Sequence, residues 1–108
     1  MKKEEIEQIE KELKEQKVKH NIITVYLDED DAEKTATFFL KKPDRTVRKL
    51  IGSLASKDGL EAVYAALKNL YIKGDSIEAI RTNDYALASA ENSVVEMLKV
   101  QESSIKKN

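Results

Sequence analysis

The sequence contains no cysteine. A disulfide framework and a thiolate metal site are therefore excluded, and stability has to come from packing. There is a single histidine, His20. Nucleophilic catalysis of the Ser–His kind needs an orienting acid and a serine held on a shaped loop, and no Gly-x-Ser-x-Gly elbow is present. His20 reads instead as a surface or strand-edge residue. Glycine is scarce, at three residues. Gly52 and Gly59 bracket Ser-Leu-Ala-Ser-Lys-Asp, but no Gly-Lys-Ser/Thr follows and no strand feeds the segment, so it is not a phosphate-binding loop. No apolar run approaches the length of a membrane span, and the lysines near the start have no apolar stretch behind them. The expected compartment is the cell interior. The net charge is only −1, which argues against a general nucleic-acid binder and against a polyanionic tail.

What remains is a chain of 108 residues, 41% hydrophobic and 36% charged. That suits one domain with a small core. Residues 1–17 are rich in Glu, Lys and Gln, with Ile6, Ile9 and Leu13 on one narrow helical stripe. This charged amphipathic helix should dock on the remainder, residues 18–108, or on a partner, or fray. Ile22, Ile23, Val25 and Tyr26, then Thr35, Thr37, Phe38 and Phe39, have strand character. The polar run Asp28-Glu-Asp-Asp-Ala-Glu33 between them predicts an antiparallel hairpin. It lacks Asn-Gly or Asp-Gly, so its turn should exceed two residues. The same acidic run lacks the central glycine and spacing of a calcium loop, and reads as a solvated turn.

Pro43 should end the second strand, since it cannot donate to a ladder. Asp44 is placed to cap a helix carrying Val47, Leu50, Ile51 and Leu54. A second helix follows on Leu60, Val63, Tyr64, Leu67, Leu70 and Tyr71, ended by Lys73-Gly-Asp75. After a short segment with Ile77 and Ile80, a last helix is predicted from Asp84 to Lys107, with Leu87, Val94, Leu98 and Ile105 on one face. Strands and helices are segregated, which predicts an α+β fold: an N-terminal helix, an antiparallel hairpin, then helical segments on one face of the sheet.

No cofactor, metal or catalytic set is legible, so the chain reads as a non-enzyme. Two surfaces are candidates for partners. The helical stripes Leu60, Val63, Tyr64, Leu67, Tyr71, Leu87, Val94 and Leu98 exceed what a two-stranded sheet can cover, and spare stripe makes a partner surface. Lys41, Lys42, Arg45, Arg48 and Lys49 form a basic cluster at the strand–helix junction. Asp44 interrupts it and no aromatic platform accompanies it, so a rim role fits better than phosphate binding.

The segments Ile23-Thr-Val-Tyr26, Ala36-Thr-Phe-Phe-Leu-Lys-Lys-Pro-Asp-Arg45 and Ala66-Leu-Lys-Asn-Leu-Tyr-Ile-Lys-Gly-Asp75, with the terminal helix through Val100, resemble the small tail assembly chaperones of long-tailed bacteriophages and prophages, particularly those of Bacteroidetes-type hosts. The resemblance covers most of residues 22–105. It implies a non-enzymatic protein of the bacterial host cytoplasm that holds apolar helices of the tape-measure protein, helps recruit tail-tube subunits and self-associates. A small structural virion protein, such as a capsid or tail accessory subunit, is the alternative. A nucleic-acid-associated regulator using the basic cluster is a distant third.

Overall fold

The computed structural model describes the backbone of residues 2–106 and the side chains of residues 2–97. Helix α1, Lys3–Glu15, precedes two long strands, β1 (His20–Asp28) and β2 (Asp31–Lys41). Helices α2 (Arg45–Ala55) and α3 (Gly59–Leu70) follow, then a short strand β3 (Tyr71–Gly74), one 3-10 turn (Glu78–Ile80), and α4 (Asp84–Lys106). The sheet is antiparallel throughout, in the order β1-β2-β3. The architecture is α+β, with α2, α3 and α4 on one face of the sheet and α1 on the other.

Two apolar clusters result from strand alternation. Side chains at successive strand positions point to opposite faces. Ala36, Phe38 and Leu40 of β2, with Ile23 and Val25 of β1, enter the main core under α2, α3 and α4. Phe39 points the other way and is fully buried beneath Ile9 and Leu13 of α1, with Ile6, Val18 and Ile72 packed around it. The opposite orientation of Phe38 and Phe39 is legible in the sequence. The burial of both is not, because it depends on α1 closing the second face.

Helix α1 ends in a left-handed turn. Lys17 has φ 59°, the only positive φ at a non-glycine residue among those described. The Val18 N–H donates to the Leu13 carbonyl and the Lys17 N–H to that of Lys14, the paired bonds of a Schellman motif. Val18 and Leu13 meet in the small core, as that motif favours. Asp44 caps α2 as expected, its carboxylate accepting the Val47 N–H at 2.9 Å. Asp58 caps α3, accepting from Leu60 and Glu61.

Two expectations are corrected. The hairpin turn is two residues, Glu29 and Asp30, since Asp28 pairs with Asp31. Neither turn residue has positive φ. The carboxylates of Asp28 and Asp31 stabilise the turn instead, accepting the N–H groups of Asp30 and Glu33, and an irregularity between Tyr26 and Asp28 adjusts the register. The second correction is that Tyr71 leaves the helix and begins β3. A four-residue strand is too short to show periodicity, and Tyr71 continues the stripe of Leu67, so the helix appeared to run on. The free edge of β2 decides it: Tyr71, Lys73 and Gly74 pair with Leu40, Phe39 and Phe38. Gly74, at φ 132°, lies so close to β2 that a Cβ there would collide with the Thr37 carbonyl oxygen. Asp75 then closes the edge. Its N–H donates to the Thr37 carbonyl at 2.9 Å and its carboxylate accepts the Thr37 N–H at 2.8 Å.

Phe38→Ala and Phe39→Ala are each expected to cost about 3–5 kcal/mol in denaturant melts. In double-mutant cycles Leu13→Ala should couple to Phe39→Ala and be additive with Phe38→Ala, because only Phe39 shares its cluster. Lys17→Gly should raise stability by about 0.5–1 kcal/mol, the relief of a side chain from the left-handed region less the backbone entropy that glycine adds. A fall in stability on Lys17→Gly would contradict the cap.

Candidate partner-binding surfaces

The helical stripes expected to be spare are consumed by the protein itself. Val63, Tyr64, Leu67, Leu87 and Val94 are buried in the main core. Leu60 is half-buried against it. Tyr71 is partly exposed, its ring edge-on to Phe38 at 6.4 Å and its hydroxyl donating to the Gly74 carbonyl. The side chain of Leu98 lies outside the described residues, as does that of Ile105. The expectation of spare stripe counted only two strands. With β3 present, and α3 packing on both α2 and α4, those residues fill one continuous core.

The basic cluster stays at the corner between β2 and α2. Lys41, Lys42, Arg45 and Lys49 are exposed and Arg48 is half-buried. Lys42 reaches back along the sheet and donates to Asn21 Oδ1 at 2.8 Å. His20 packs its ring against Phe39, centroids 5.8 Å apart, with Nδ1 3.0 Å from the Val18 carbonyl oxygen. That oxygen can only accept, so Nδ1 is the donor, and the imidazole acts as a packing and turn-fixing group. Among the described residues no group of three or more His, Asp or Glu side chains is placed to hold a metal ion. No described helix is long and apolar enough to cross a membrane.

An open surface lies along β1, one of the two edge strands of the sheet. Thr24 faces Thr37 with their hydroxyls 3.2 Å apart. The Thr37 N–H and carbonyl both turn toward Asp75, so Thr24 and Thr37 form a pair that exchanges no backbone bonds. In an antiparallel ladder such pairs alternate with bonded ones. The backbone groups of Ile22, Thr24 and Tyr26 therefore point away from β2. Their side chains share the sheet face that α1 covers only in part, leaving Ile22 40% and Tyr26 47% exposed.

Helix α4 runs beside this edge. Ala86, Leu87, Ala90, Val94 and Met97 turn into the core. Ser89, Asn92, Ser93 and Glu96 fall at i, i+3, i+4 and i+7, a polar stripe on another side of the helix. Ser89 takes the outward N–H of Tyr26 at 3.0 Å. Asn83 ties the start of α4 to the hairpin, accepting the Ala86 N–H and donating to the Leu27 carbonyl, both at 3.0 Å. Farther along, strand and helix enclose a cleft of about 420 Å³. Asn21, Ile22, Ile23 and Lys42 form its strand side. Asn92, Ser93, Glu96 and Met97 form its helix side. Buried Ile23 and Met97 give it an apolar floor.

Sequence reasoning missed this cleft. The polar spacing of Ser89, Asn92, Ser93 and Glu96 was available as a signal, but only the tertiary structure puts it against a strand edge. Ser89→Ala should speed hydrogen exchange at the Tyr26 amide and lower stability by about 0.5–1.5 kcal/mol. Unchanged exchange at that amide would show that the edge is protected by something else. Set against family models, characterised proteins and solved structures, the chain matches none.

Proposed function

We propose that the chain is a protein-binding assembly factor of the tail assembly chaperone kind, acting in the bacterial cytoplasm on apolar segments of tape-measure or tail-tube proteins. The supporting observation is the cleft between β1 and α4. It joins an apolar floor, open backbone groups and the exposed Ile22 in one place. The short resemblance at the hairpin and the strand–Pro–helix junction supports the same reading, since Ile23-Thr-Val-Tyr26 contributes the strand side of this surface. Lys42 stands at the mouth of the cleft. The other members of the basic cluster flank it in sequence at the β2–α2 corner, which suits a rim.

Binding through apolar burial carries no counterion term, whereas phosphate neutralisation weakens steeply with salt. Co-expression with the neighbouring tape-measure or tube protein, followed by capture at low and high salt, is expected to give a complex that survives high salt. Failure to bind either protein, with stoichiometric recovery of the chain from purified particles, would instead make it a structural virion subunit.

A further inference from the structure

The two edges of the sheet are built differently. The β3 edge is four residues long, carries Lys73, and ends at Gly74, where Asp75 turns back to bond Thr37 of β2. These are the usual defences against strand addition: a short edge, a lysine, a termination. The β1 edge is nine residues long, and from His20 to Leu27 it holds no Asp, Glu, Lys, Arg, Pro or Gly. Its turn end is closed by Ser89 and Asn83. Among the described residues, nothing bonds the outward backbone groups of Ile22 and Thr24.

We infer that the β1–α4 cleft is a strand-addition site, which receives an extended polypeptide segment of a partner protein between the Ile22–Thr24 edge and the polar stripe of α4. This rests on the protein-binding reading above and changes the form of the partner from helix to strand. Outward N–H and carbonyl groups at alternate residues match the groups of another extended backbone, and main-chain bonding of this kind supplies the affinity in strand addition. A helix has already used its backbone groups and could not answer them. The opposite wall suits the far edge of the same inserted strand, because Asn92 and Ser93 can each donate and accept.

Charge points the same way. Among the described residues the lining carries one cation and one anion, Lys42 and Glu96. The complementary occupant is uncharged but strongly dipolar, which describes a peptide backbone. Asn21 adds an unmet donor. Lys42 donates to its Oδ1, which fixes the amide orientation, and the Nδ2 is buried without a hydrogen-bond partner among the described residues. The nitrogen is sealed from solvent in the free chain, so a carbonyl of the inserted segment would reach it only as the Asn21 amide turns outward into the cleft. Alternate side chains of that segment would fall on the Ile23–Met97 floor and beside Ile22, so an alternating apolar sequence is the expected specificity.

The probe is an unbiased library of short linear peptides, selected on the purified full chain. Enriched peptides with alternating apolar residues are expected, and their binding should slow hydrogen exchange at the Ile22 and Thr24 amides. N-methylation of a selected peptide should weaken binding at alternate positions, by about tenfold where a bond to β1 is lost. Ser93→Trp, at an exposed helical position, should fill the cleft and abolish binding without lowering the melting temperature. Ile22→Pro should also abolish it, since that N–H serves no ladder bond in the sheet. If Ile22→Pro fails to fold, Ser93→Trp alone decides. No enrichment, peptides bound as helices, or protection confined to α2 and α3 would overturn the inference. So would a dimer of the chain that Ser93→Trp disperses in place of peptide binding. Peptide binding without capture of any tail protein would leave the cleft and discard the tail-assembly reading. Capture of a tail protein undiminished by Ser93→Trp would do the reverse.

Discussion

Strand β2 has to bury both of its faces. Five consecutive residues, Ala36 to Leu40, are inaccessible to solvent, and because their side chains alternate, no single layer of helices can cover them. The main core answers for Ala36, Phe38 and Leu40. Phe39 requires a second cover on the opposite face, and α1 provides it through Ile9 and Leu13. The central position of β2 follows from the same demand. A strand with two buried faces also needs both edges paired, which β1 and β3 supply. Even Thr37, the one buried polar residue among those described, has its hydroxyl matched by Thr24 and its backbone matched by Asp75.

Much of this was legible where local signals are long or chemically specific. The apolar stripe of Ile6, Ile9 and Leu13 in a charged segment marked α1, Pro43 and Asp44 marked the junction into α2, and the β-branched runs marked the hairpin. Signals failed where structure is set by distant partners. Tyr71-Ile-Lys-Gly74 is a strand because β2 has an edge to fill, a fact absent from those four residues. The two-residue turn at Glu29 and Asp30 is held by carboxylates that composition alone made into generic solvated charge. The assignment of Leu60, Val63, Tyr64, Leu67, Leu87 and Val94 to a partner surface came from counting apolar stripe against two strands. A third strand and mutual helix packing absorbed them.

The proposed binding surface was hidden for a related reason. Its β1 residues and its helix side lie more than 60 residues apart in sequence, as the Tyr26–Ser89 separation of 63 shows. Neither side is unusual alone: one is an ordinary strand, the other an ordinary polar helix face. Their juxtaposition turns a sheet edge into a lined cleft, with Asn83 and Ser89 closing one end and leaving the other open. Helix α4 thus has two roles on different sides of its axis, packing apolar residues into the core and presenting hydroxyl, amide and carboxylate groups to the strand.

The same separation sets an order of events during synthesis. β1 leaves the ribosome 63 residues ahead of the serine that covers its Tyr26 amide, a delay of roughly 3–13 s at translation rates of about 5–20 residues per second. For that interval the outer edge of the uncharged run from His20 to Leu27 has no α4 beside it, whatever the hairpin has already formed. On a crowded polysome, neighbouring nascent chains would present the same bare strand to one another. Part of the aggregation hazard of this protein therefore belongs to its translation rather than to its finished fold, and slowing initiation, which spaces the ribosomes, would relieve that part without altering a residue.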